Sequence, residues 1–116
     1  MTDAEKLATV KTILSDGGAL PPDETITTYL GMAQSEILQW LYHLVGGVPE
    51  DVTAVPTRYE NTQVYAVVVG FTQSGAEGEK THNENGISVA FRYAEMLDYI
   101  HNNVFPIVRV GAVSVT

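Results

Sequence analysis

Glu77, Glu79, His82 and Glu84 bring carboxylates and an imidazole together in one polar stretch, the donor types that bind divalent metals. Their spacing is that of no established ligand motif, and the glycines and asparagines between them give the donors no fixed geometry, which a metal site needs. The stretch therefore reads as a solvated or subunit-contacting loop, and no metal or other cofactor is expected. His43 and His101 fall near the ends of predicted helices, where a partly positive imidazole suits the helix dipole, so neither needs a catalytic role. Ser74-Gly75 lacks a G-x-S-x-G elbow and a paired base. The glycines at 75, 78 and 86 form no phosphate loop, because Lys80-Thr81 does not complete one between a strand and a helix. Trp40 fits an apolar helix face, and Tyr59, Tyr65, Tyr93 and Tyr99 read as half-buried packing residues with wet hydroxyls. No constellation joins nucleophile, base and stabiliser, so the expected protein is not an enzyme.

The elements that must position these residues read as helices. Thr2 and Glu5 have capping-box spacing, and Leu7, Val10, Ile13 and Leu14 share one face of a helix over residues 2–15, which Asp16-Gly17-Gly18 stops. After a rigid Ala-Leu-Pro-Pro connector, Asp23 is placed to cap a second helix running to about residue 45. Its face is Ile26, Leu30, Ala33, Ile37, Trp40, Leu41 and Leu44, and Gly46-Gly47 supplies a left-handed terminator. Residues 64–69 (VYAVVV) are β-prone enough for a buried strand. A helix is nevertheless expected there: Thr57 and Glu60 repeat the capping-box spacing after Pro56, and Val64, Val67, Val68 and Phe71 share a helical face. Residues 72–86 (TQSGAEGEKTHNENG) predict a long loop or a hairpin-like arm, and Ile87-Ser88-Val89 reads as extended. Tyr93, Leu97, Ile100 and Val104 mark a fourth helix that closes before Pro106.

The expected fold is all-α: a small four-helix domain over residues 1–105, with a protruding loop between helices 3 and 4 and an extended, β-prone C-terminal tail over residues 106–116. That tail, including IVRVGAVSVT, would leave an unpaired edge without a neighbour to take it. The 116 residues suit one domain. No apolar run approaches the roughly 20 residues of a membrane span, and MTDAEKLATV is not a signal segment, so a cytosolic site of synthesis is expected. The chain has no cysteine, which rules out disulfides, thiolate zinc sites and a cysteine nucleophile. With 14 Asp+Glu against 6 Lys+Arg, a formal charge of -8 and cations scattered singly, the chain is expected to repel DNA rather than hold it. A compact acidic domain with two protruding elements reads as part of a symmetric assembly, the tail locking a neighbour by strand addition.

The segment Gly75-Ala76-Glu77-Gly78-Glu79-Lys80-Thr81-His82-Asn83-Glu84-Asn85-Gly86-Ile87-Ser88 resembles the G-x-E-G-E…S/T…G-x-S stretch of the small head-tail connector proteins of long-tailed bacteriophages. The helical order is similar too, and the resemblance covers most of residues 1–105. It implies a structural virion protein, made in the bacterial host cytoplasm and located at the virion neck. Such proteins form a homo-oligomeric ring, commonly of twelve subunits, under the portal protein, joining head to tail and extending the DNA channel. The loop between the third and fourth helices would then reach a neighbouring subunit or the channel, through Gly75, Glu77, Gly78, Glu79, Lys80, His82, Glu84, Gly86 and Ser88. The tail would contact the portal or the downstream neck or tail protein through Ile107, Val108, Arg109, Val110, Val113 and Val115. DNA would pass without specific binding, and no membrane is involved. A tail-terminator or stopper protein is the nearest structural alternative, and a small acidic helical adaptor or regulator binding a single protein partner is the alternative from another class.

Overall fold

The computed structural model describes residues 1–15, 20–73 and 86–108, and among these it contains four α-helices and no strand. The all-α expectation holds. The first helix, α1 (Asp3–Leu14), starts as its sequence predicts: the Thr2 hydroxyl accepts the Glu5 N–H at 3.1 Å and the Glu5 carboxylate accepts the Thr2 N–H at 2.7 Å. Each group thus satisfies a donor that a helix start leaves without an intrahelical partner. Val10 and Leu14 are buried and Leu7 and Ile13 partly so, with Lys6 also buried beside them.

The second helix, α2 (Asp23–Tyr42), corrects two expectations. Pro22, not Asp23, holds the cap position with extended backbone and makes no side-chain cap bond. Asp23 is already helical, and its carboxylate pairs with Lys11 at 2.9 Å, tying α2 to α1 while still placing negative charge at the positive end of the dipole. The helix also stops at Tyr42, short of residue 45. The Val45 and Gly47 N–H groups both turn back onto the Tyr42 carbonyl, at 3.1 and 3.0 Å, and Gly46 and Gly47 adopt φ of 98° and 107°, a region that side chains disfavour. Leu44 therefore lies beyond the helix and is exposed, whereas Tyr29 and Leu38 join the buried face.

A single 3-10 turn (Thr57–Tyr59) leads into α3 (Glu60–Gln73). The predicted Thr57–Glu60 capping box does not form, because Thr57 belongs to the 3-10 turn and makes no side-chain cap bond. The Glu60 carboxylate is instead held by the Met1 ammonium at 2.9 and 3.0 Å. α3 packs against each of the other three helices. Its near-continuous apolar run follows from that central position: Val64, Ala66, Val67, Val68 and Phe71 are all buried, on more than one face.

The last helix, α4 (Gly86–Asn103), begins earlier than the sequence suggests. Ile87-Ser88-Val89 is helical, not extended. The β preference of two branched residues amounts to only tenths of a kcal/mol each, about what extending a helix by one backbone bond per residue can override. Ile100 and Val104 are buried as expected, Tyr93 and Leu97 are half-buried, and Met96 and Arg92 fill the interior places. The α3–α4 seam is the most extensive helix pair. A Cβ added at Gly70 would lie 2.8 Å from Met96 Cγ and 3.2 Å from the Arg92 carbonyl oxygen, so the missing side chain is what lets the two helices approach. The Arg92 guanidinium lies 4.8 Å from the centre of the Phe71 ring, which meets Tyr29 edge-on.

Candidate interaction surface

The chain leaves α4 by a route fixed at three points. The indole N–H of Trp40 donates to the Val104 carbonyl at 2.8 Å, the Phe105 N–H donates to the Tyr59 hydroxyl at 3.2 Å, and the Ile107 N–H donates to the Leu41 carbonyl at 2.7 Å. These bonds take up backbone groups that neither α2 nor α4 can satisfy internally near its end. Ile107 is partly buried against the core, while Phe105 remains 75% exposed, Val108 52% and Leu44 58%. Scattered apolar residues on a surface are ordinary. Here, three of them sit on segments that the same hydrogen bonds fasten together, where the β-prone tail begins.

Trp40 organises this end of the molecule. Both His43 and His101 stack on it, with ring centroids 4.5 and 4.0 Å away, and His43 Nδ1 lies 2.7 Å from the Trp40 carbonyl oxygen. The sequence placed the two histidines correctly at helix ends, His43 at the α2 C-cap and His101 in the last turn of α4, but not together on one indole. A second link between the same helices is the hydrogen bond from the Tyr93 hydroxyl to the Glu36 carboxylate, which holds the Tyr93 phenol above its ordinary pKa; desolvation adds to the rise. At the far end, the backbone N–H of Thr2 holds the Glu5 carboxyl below the usual carboxylate value.

Of the residues expected to make contacts, Gly75, Glu77, Gly78, Glu79, Lys80, His82 and Glu84 lie outside the described residues, as do Arg109, Val110, Val113 and Val115. Gly86 and Ser88 are in the first turn of α4, so the connection between α3 and α4 ends before them. Ile107 and Val108 are at the tail root just described. The sequence reading missed Phe105 and Leu44 as surface residues; a phenylalanine between a helix stop and Pro106 was the available signal. Among the described residues, no three His, Asp or Glu side chains are grouped so as to hold a metal, and no helix is long and apolar enough to cross a membrane.

The cations account for the electrostatics. Lys6 and Arg92 are buried, Lys11 is paired with Asp23, and the Arg58 guanidinium lies 4.9 Å from the centre of the Tyr59 ring. Of the four described cations, then, only Lys11 and Arg58 are exposed over more than a small fraction of their area, against ten described carboxylates. Among the described residues, the exposed charge is more acidic than the overall composition implies.

The described residues thus form a small helical domain with acidic exposed charge and a fastened, partly apolar chain exit. The chain belongs to the family described as phage gp6-like head-tail connector protein, whose model matches residues 5–103. No curated protein and no solved structure matches it. The family match supports the connector role at the phage neck and interaction with head and tail components.

Proposed function

We propose that copies of this chain assemble into a ring under the portal, dodecameric as in the resemblance, which joins head to tail and extends the DNA channel. The observation that carries this reading is the family match over residues 5–103, which spans all four helices except the first two residues of α1. The exposed Phe105, Leu44 and Val108 support a docking role for the tail root, since apolar surface at a fixed chain exit gains most when a neighbour covers it. In this reading the tail contacts the portal or the next neck component, and the segment between α3 and α4 contacts the adjacent subunit or the channel. The acidic exterior suits a wall along which DNA slides without being held. The reaction class is none: the protein works by assembly.

Co-expression with the portal protein of the same phage tests the reading. Sedimentation and electron microscopy of the purified complex are expected to show several copies per portal, arranged about its axis. Portal that sediments free of this chain at micromolar concentrations of both would overturn the proposal.

A further inference from the structure

A cleft of about 380 Å3 opens between α1, α2 and α3, away from the tail root, with Asp3, Lys6, Thr27, Gly31, Gln34 and Gln63 among its lining residues. Two of these bring to the cleft polar groups that have no protein partner among the described residues, one of them fully buried. Lys6 is only 4% exposed, yet among the described residues it pairs with no carboxylate, in a chain that has 14 Asp and Glu. Gln63 is 2% exposed; its amide N–H donates to the Leu30 carbonyl at 2.8 Å, which fixes the side chain, while its Oε1 accepts no hydrogen bond. The Lys6 ammonium is not among the fully buried atoms left without a hydrogen bond, so it meets water at the cleft and is open to a counter-charge, whereas a buried acceptor without a donor is costly until an occupant supplies one. The wall opposite is open: a Cβ at Gly31 would meet nothing within 4 Å.

We infer that this cleft is a receptor for an acidic peptide segment of a protein partner, with a carboxylate side chain pairing with Lys6 and a neighbouring backbone N–H donating to Gln63 Oε1. The solvent-reaching ammonium and the unpaired carbonyl oxygen together favour that chemistry. A carboxylate alone satisfies Lys6 and leaves Gln63 unpaired, a neutral amide does the reverse, and an Asp or Glu within a peptide supplies both groups a few bonds apart. The volume is that of about a dozen liquid waters, enough for one such side chain with its flanking backbone. The site is separate from the tail root, and the inference does not depend on the ring.

The chain alone can be titrated with the tripeptide acetyl-Ala-Glu-Ala-amide, with acetyl-Ala-Gln-Ala-amide and sodium acetate as controls, while amide and side-chain NMR signals are followed. Saturable shifts at Lys6, Gly31 and Gln63 are expected with the Glu peptide, with Kd of about 1 mM or tighter. They should be at least about tenfold weaker with the Gln peptide, with acetate, and in the Lys6→Met variant, whose apolar chain suits the buried position. Gly31→Met, a good helix former that narrows the cleft, should also weaken binding while the melting temperature stays the same or rises. The inference is overturned if the Glu peptide produces no saturable shift, if acetate alone binds as tightly, or if folded Lys6→Met binds as well as the parent. Because no portal or ring enters the assay, its failure leaves the neck proposal standing, and failure of that proposal leaves this result readable.

Discussion

The α3–α4 seam and the tail root are built from similar residues put to opposite use. At the seam, Phe71, Met96 and Ile100 are buried and Gly70 has given up its side chain so that the helices can approach. At the tail root, Phe105, Leu44 and Val108 are exposed although Trp40, Tyr59 and Leu41 fasten the backbone beneath them. The seam converts apolar area into folding stability, and at the tail root similar area stays in water, where the proposed docking would cover it. The difference lies in whether a hydrogen bond fixes a segment that is also covered or one that is left open.

The largest expected effect breaks the comparison at its two phenylalanines. Phe71→Ala removes a fully enclosed ring that packs on Tyr29 and Arg92, and should cost about 3–5 kcal/mol of unfolding free energy by urea titration. Phe105→Ala should change stability by less than about 0.5 kcal/mol in the same assay, because its ring is already in water. Equal losses would mean that the tail root is part of the core after all.

Glycine gives a sharper contrast with a change of sign. Gly70→Ala gains helix propensity of about 1 kcal/mol but forces Met96 and the Arg92 carbonyl apart, an overpacking cost of about 1–3 kcal/mol, so a net loss of up to about 2 kcal/mol is expected. Gly31→Ala has open space around it and should stabilise by about 1 kcal/mol. Thermal melts of the two variants should move in opposite directions.

Smaller effects come from single hydrogen bonds. Trp40→Phe keeps an aromatic ring but leaves the Val104 carbonyl without its indole donor, and should cost about 1 kcal/mol while raising hydrogen exchange at the Ile107 amide. Thr2→Ala removes the α1 cap and should likewise cost about 1 kcal/mol near neutral pH. Because the Glu5 carboxyl sits below its ordinary pKa in the folded protein, its contribution is present above the ordinary carboxylate value and disappears as pH falls through the folded one. The gap between Glu5→Gln and the parent should therefore narrow in acid, whereas Thr2→Ala keeps the backbone N–H that holds the Glu5 carboxyl and its gap should change little.

Much of the fold was legible because helical spacing and punctuation agreed. The Thr2–Glu5 box, the faces of α1 and α2 and the Gly46-Gly47 stop are local signals whose partners lie within a few residues. What escaped was set by distant partners. Asp23 pairs with Lys11 while Pro22 holds the cap position, and Glu60 pairs with Met1, 59 positions away, while Thr57 is taken into the 3-10 turn. Ile87-Ser88-Val89 was misread because two branched residues were given more weight than the cooperative extension of α4. The two imidazoles on Trp40 come from separate helices, so no spacing rule could pair them. The residues of the expected arm and most of the expected tail contacts lie outside the described residues, and their roles rest on the family resemblance.

The central claim is that the tail root is surface reserved for assembly in the neck, and particle composition tests it most directly. In the phage that encodes this chain, quantitative mass spectrometry of purified particles should find several copies per portal ring. Folded Phe105→Ser protein supplied in its place should be depleted from particles at least about tenfold, with infectivity falling in step. Particles that lack the parent protein, or that take up folded Phe105→Ser as well as the parent, would contradict the account.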